Sequence, residues 1–219
     1  MADSPTAHGG YSAKTSYRVE GAGEHYRERR FAGGVASREA AMVRDLAALC
    51  GSAEDCPEVL DAPCGTGRIS KLFPDRRVTA VDISADMLKY AAEYEHVTGQ
   101  VADVEKLPFA DASFDLVLSI RFLHHLPEDE TVGRCFAELA RVSRRYLLVS
   151  YFDRLALQGL RRRFKERYRG HVSRRISRSR ARFEDLARAH GLTPVARRCS
   201  FPLVSEQWFV LFEKVASNG

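Results

Sequence analysis

A short apolar run that ends in an acid and breaks into a glycine-rich turn constrains this chain more than any other segment: Val59-Leu60-Asp61-Ala62-Pro63-Cys64-Gly65-Thr66-Gly67-Arg68. Strand, tight turn and helix in that order open a βαβ unit. Glycines at the turn let backbone approach a ligand where a Cβ would stand in the way. A helix expected over 66–73 would aim its unpaired N–H groups at the same ligand. Fifteen residues past Gly67, a second strand-like run, Arg77-Val78-Thr79-Ala80-Val81, also ends in a carboxylate, Asp82. In nucleotide-binding βαβ units an acid about 20 residues beyond the turn holds a ribose diol.

The rest of the chain repeats the alternation. Apolar residues recur at helical spacing from Ser37 to Cys50 (Ala40, Ala41, Val43, Leu46, Ala47, Leu49). Strands are expected at 58–62, 77–82, 97–102, 114–120 and 145–151, and helices at 85–94, with Ser84 as cap, and 129–143. Cys135, Phe136, Leu139, Ala140 and Val142 form the inward face of the second of these helices. A short helix at 183–190, stopped by Gly191, precedes two closing strand runs near 193–199 and 207–215. The fold class that follows is α/β: a doubly wound, mostly parallel, seven-stranded sheet with an antiparallel C-terminal strand pair. Residues 1–34, polar and Gly-rich, read as an arm or lid. Residues 35–219 read as one domain with an Arg-rich insert at 154–182.

Composition narrows the setting. No apolar run approaches the 18 or so residues of a membrane span, and Met1 to Gly10 lacks the apolar stretch of a secretory signal. Five cysteines, an odd count without CxxC spacing, argue against a disulfide framework or structural zinc and for a reduced, cytoplasmic chain. No ligand-spaced cluster of His, Asp and Glu points to a metal. The net charge of +5 is uneven: Arg154 to Arg182 holds eleven arginines and one lysine against one glutamate, so the remainder is net acidic.

Two nucleotide classes compete for the turn. A dinucleotide fold wants a third small residue after G-x-G-x-x, where Ser70 stands, and no P-loop pattern is present. Asp61-x-Pro63-x-Gly65-x-Gly67 resembles motif I of the class I S-adenosylmethionine (SAM)-dependent methyltransferases, with proline replacing the usual first glycine. The resemblance continues in order through Val81-Asp82-Ile83-Ser84-x-x-Met87-Leu88, Ala102-Asp103-Val104-Glu105-x-Leu107-Pro108-Phe109, and Phe114-Asp115-Leu116-Val117 to Leu123-His124-His125-Leu126. It covers about residues 58–151 and is closest to the ubiquinone/menaquinone-biosynthesis-like members. It implies SAM as cofactor. It further implies that backbone at Ala62, Pro63, Gly65 and Gly67 lines the methionine moiety, and that Asp82 accepts both ribose hydroxyls. Ile83 and Met87 would flank the adenine, Asp103 would accept its exocyclic amine near the Val104 N–H, and backbone around Ile120 would hold the amino group.

Methyl transfer asks mainly for in-line positioning and, for a hydroxyl acceptor, removal of a proton. His124 and His125 follow the fourth strand, at the end of the sheet where such folds bind ligands. Either could serve as general base, or pack structurally at a helix start. Arg121 could hold a substrate carboxylate or phosphate bidentately, or form a salt bridge. For the arginine segment, with Leu160, Phe164 and Tyr168 interleaved, four readings stand: RNA, an anionic membrane surface beside a lipid-like substrate, a lid clamping an anionic small molecule, and a solvated basic helix. The expected activity is methyl transfer to a small or amphipathic metabolite at oxygen. The alternatives are RNA methylation and a SAM-fold partner subunit without turnover.

Overall fold

In the computed structural model of the chain, residues 34–169, 175–202 and 204–215 are described; all but the last residue of the expected arm lies outside them. Helix α1, Gly34–Ala47, runs into a short 3-10 turn, Ala48–Cys50. Its buried face is Glu39, Val43, Leu46, Ala47 and Cys50, whereas Leu49, expected inward, faces solvent. A glutamate therefore sits four residues ahead of Val43 on the face that packs against the domain, and its use appears at the site.

Strands β1 (Glu58–Asp61), β2 (Arg77–Asp82), β3 (Val97–Val101), β4 (Phe114–Ser119), β5 (Ser143–Phe152), β6 (Leu192–Cys199) and β7 (Gln207–Lys214) form one sheet, ordered β3-β2-β1-β4-β5-β7-β6. The first five are parallel, and β7 runs antiparallel to both neighbours. This is the expected architecture. Successive residues of a strand face opposite sides, so a central parallel strand is buried on both faces and reads as a nearly continuous apolar run, interrupted in β4 by Asp115 and Ser119. In β4 all six residues are buried: Val117 joins one core with Leu60 and Phe136, while Leu116 and Leu118 join the other with Val43 and Phe209. Pro194, which cannot donate to the ladder, is tolerated because β6 is an edge strand.

Helix α2 (Ala85–Ala91) links β2 to β3 and is capped by Ser84, whose Oγ accepts the Met87 N–H at 3.4 Å. It stops three residues short of the expected 85–94. Helix α3 (Asp129–Val142) links β4 to β5 and buries the predicted face. Helices α4 (Leu157–Arg169) and α5 (Arg180–Ala189) follow β5. The latter starts earlier than expected because the Ser179 Oγ accepts the Arg182 N–H.

One element differs in kind. Residues 66–73 do not form an α-helix; successive turns lead into a single 3-10 turn, Ser70–Leu72. Gly67 sits at φ +74°, outside the helical region, and Pro74 follows closely, leaving too few residues for regular i→i−4 bonding. A Cβ at Gly67 would stand 2.7 Å from Ala91 Cα, so this glycine lets the turn close onto the end of α2. The small residue missing after the motif is not needed, because Gly67 itself makes the close packing contact.

Candidate active site

The strand order reverses between β1 and β4, and a cleft opens beyond the carboxyl ends of the strands at that point, where α/β sheets bind ligands. Asp61 closes β1 at its base. Its Oδ2 accepts the Ser70 hydroxyl at 2.7 Å, and burial pushes the carboxyl up to about 7 against the opposing pull of that bond and of Arg68. Asp82 closes β2. Its Oδ2 accepts the Gly65 N–H at 2.9 Å and its Oδ1 the Ser84 N–H at 3.0 Å. Burial raises Asp82 too, and those N–H groups oppose the rise. The Gly65 bond joins the motif turn, at φ +55°, to the acid seventeen residues later, which explains why the two features occur together.

A carboxylate offers about four lone-pair positions, and backbone N–H groups of Gly65, Ser84 and Ile83 engage Asp82 without filling all of them. Asp82 lines a cleft together with Ile83, Met87, Ala102, Asp103 and Val104. A diol acceptor beside a flat apolar slot suits an adenosine. Pro63, Cys64, Gly65 and Ile120 line the other end. Burial between Asp61 and Asp82 holds the Cys64 thiol well above its ordinary pKa; it stays protonated and donates to Gly65 O at 3.2 Å. No phosphate is expected here, which fits the lack of a helix N-terminus behind the turn.

Of the sequence-predicted residues, Pro63, Gly65, Asp82, Ile83, Met87, Asp103, Val104, Ile120, Arg121 and His125 line this one cleft. Three are not among its lining residues. Ala62 is wholly buried behind it, and Gly67 packs on α2. The His124 ring lies stacked on Phe152 at 4.0 Å, 1% of the residue exposed, and its carbonyl accepts the Ile176 N–H at 2.8 Å. Of the two histidines only His125 faces the cleft.

Arg121 has φ +63°, a conformation that costs a non-glycine residue about 1–3 kcal/mol and tends to mark functional positions. Its N–H donates to Ser150 Oγ at 2.7 Å. Its guanidinium reaches Glu39 Oε1 at 2.8 Å and Gln207 Oε1 at 3.5 Å, while the other Glu39 oxygen pairs with Arg68 at 2.9 Å. Sequence reasoning missed Glu39 and Arg68, and the signal was present: a glutamate in register with the buried stripe of α1. It also missed Arg178. That side chain, 6% exposed, donates to the carbonyls of Leu123, Leu126 and Pro127 and pairs with Asp129 at 2.6 Å. It thereby fixes the turn that carries His125.

The sheet order and the position of the cleft are those of the Rossmann-like α/β methyltransferase fold. Residues 60–146 match the family model described as a methyltransferase domain. Curated relatives include the malonyl-[acyl-carrier protein] O-methyltransferases of Hahella chejuensis (41% identical, covering 42% of this chain and 35% of that protein) and Pectobacterium atrosepticum (39%, covering 40% and 34%). The matched region spans about a third of the length of these relatives. Among solved structures, the chain resembles magnesium protoporphyrin IX methyltransferase from Synechocystis PCC 6803 with bound SAH, with TM-score 0.73, 17% identity, and coverage of 93% of this chain and 98% of that one. It also resembles the PH0226 protein of Pyrococcus horikoshii OT3, with TM-score 0.67, 25% identity, and coverage of 88% and 99%.

Proposed function

We propose that this chain transfers the methyl group of SAM to an oxygen of a small acceptor, and that the acceptor oxygen belongs to a carboxylate. The observation that carries the reading is the pocket in which Gly65 and Ser84 aim Asp82 at the slot of Ile83, Met87 and Val104. The acceptor class is supported by the relatives, whose names specify O-methylation of a malonyl group. It is also supported by the two arginines, Arg68 and Arg121, on the cleft wall.

In this reading SAM, when bound, supplies an electrophilic methyl group on its sulfonium. Asp82 holds the ribose hydroxyls, Asp103 the adenine amine, and Ile83, Met87 and Val104 clasp the ring. Backbone at Pro63, Gly65 and Ile120 fixes the methionine end, and Asp61 in its ionised form offsets positive charge at the cleft base. A carboxylate acceptor brings no proton to remove. His125 therefore shapes the wall and sheds water rather than taking a proton at its ring nitrogen. Holding nucleophile and electrophile in line supplies most of such a rate enhancement.

The arginine segment favours a small acceptor over RNA. Arg162 pairs with Glu206 and Ser177, and Arg178 is buried under the β4–α3 turn, so neither is available to a phosphate backbone. Among the described residues no helix is long and apolar enough to cross a membrane, and all five cysteines are free thiols; we place the chain in the cytoplasm.

The test is transfer of a labelled methyl group from SAM into fractionated cell extract. Carboxyl methyl esters release the label as volatile methanol in mild alkali. Label that survives alkali, or that resides in RNA or lipid, overturns the carboxylate reading.

A further inference from the structure

Arg68, Glu39 and Arg121 form one ion cluster on the wall of the cleft. Each Glu39 oxygen binds one guanidinium, and the side chains are only 11%, 6% and 10% exposed respectively. Two cations share a single anion, so one unit of positive charge is left over in a site largely removed from water, where an uncompensated charge is costly. The excess has a location. Arg68 Nη1 is buried and has no hydrogen-bond partner, whereas Arg68 Nη2 holds Glu39 and Arg121 Nη1 holds Glu39 and Gln207. Asp61, an acid lining the same cleft, accepts the Ser70 hydroxyl at its Oδ2, and burial keeps it partly protonated near neutrality, so it offsets the charge only in part.

We propose that Arg68, helped by Arg121, is a carboxylate-binding site within the cleft, the free Arg68 Nη1 donating to a ligand carboxylate oxygen and Glu39 tempering the positive charge offered to it. Two ligands bring such a group here: the amino-acid end of SAM and the acceptor. The first rests on the SAM reading above; the second does not. Glu39 pairs with both guanidinium groups and, by neutralising part of their charge, sets how much is left for a ligand.

Calorimetry on the full chain separates the sources, using SAH, its decarboxylated analogue (which keeps the amine), and malonate as a simple carboxylate probe. If the cofactor supplies the carboxylate, Arg68→Met weakens SAH by about 10- to 100-fold, the range for a charge-assisted hydrogen bond, and leaves the decarboxylated analogue within about threefold. If the acceptor supplies it, both nucleosides are unchanged and malonate affinity falls about tenfold or more. Glu39→Gln supplies a readout of opposite sign. Removing its charge raises the net positive charge and tightens carboxylate binding several-fold, whereas a purely structural role for Glu39 predicts weaker binding.

The proposal is overturned if folded Arg68→Met changes neither the ratio of SAH to its analogue nor the malonate affinity. It is overturned equally if Glu39→Gln weakens every carboxylate ligand. Should the wild-type chain bind neither nucleoside, the SAM reading fails by itself, and the malonate arm alone decides the carboxylate site.

Discussion

The cleft has two halves built by different means. The nucleoside half uses backbone and short sequence intervals: Gly65 meets Asp82 seventeen residues on, and Asp82 meets Ser84 two residues on. The half around Arg121 and His125 uses side chains drawn from across the chain. Glu39 reaches Arg121 over 82 positions and Arg178 reaches Leu126 over 52. A site whose ligand never changes can be written into one local motif. The half around Arg121 depends instead on long side chains, Glu39 and Arg178 among them, none of which bonds to the turn at Gly65.

The sharpest way to break this contrast is Asp82→Ala. Two hydrogen bonds to a charged group, at about 1.5–3 kcal/mol each, predict at least a 100-fold loss of SAM affinity by calorimetry. Arg178→Ala should leave that affinity nearly intact. Wild-type affinity in the Asp82 variant would remove the nucleoside half from the argument.

Arg178→Ala itself should act on the other half. Three carbonyls and Asp129 lose their donor, so urea unfolding should report about 2–3 kcal/mol lost. Turnover should fall with SAM affinity retained. Unchanged stability would mean that the turn carrying His125 is held by something else.

Asp61 joins the halves, and pH tests it. Its folded pKa of about 7 lies above the unfolded carboxyl value of about 3.9, so the folded, ligand-free chain keeps a proton that the unfolded chain releases. The stability from that neutral form is complete below about pH 4 and is lost as pH rises towards 7. A cationic sulfonium prefers the ionised form. SAM affinity should therefore climb about tenfold from pH 6 to pH 8, one pKa unit being a factor of ten. Asp61→Asn should flatten that slope, and a flat wild-type profile would remove the role. The smallest effect expected is for His125→Ala: less than about threefold on kcat with a carboxylate acceptor, against the 10²–10⁴ that general-base catalysis contributes.

What could be read from the sequence follows the same division. The mostly parallel sheet, its antiparallel closing pair and most of the cleft residues from Pro63 to Val104 were legible because strand periodicity and the motif intervals are local, whereas the strand order was not. The helix expected at 66–73 failed because a left-handed glycine and a nearby proline defeat apolar spacing. Apolar spacing extends to Leu49, which lies exposed in the 3-10 turn after α1, and it passes over Glu39 on the buried face, because the guanidinium groups that make a buried glutamate tolerable lie farther along the chain. The arginine run read as a single basic block. Its members divide between an interior clamp at Arg178, an ion pair at Arg162 and an exposed surface with Phe164 and Tyr168, 68% and 80% exposed.

The Glu39–Arg121–Gln207 contact has a consequence for the order of events during synthesis. Glu39 lies in the first described helix and Gln207 begins the last strand, and they meet at one guanidinium. Gly65 and Asp82 are synthesised long before Gln207, so this charged junction cannot be completed until β7 has been made. The junction therefore ties the first described helix to the last described strand, and a backbone cut in either would leave Arg121 without one of its two side-chain partners.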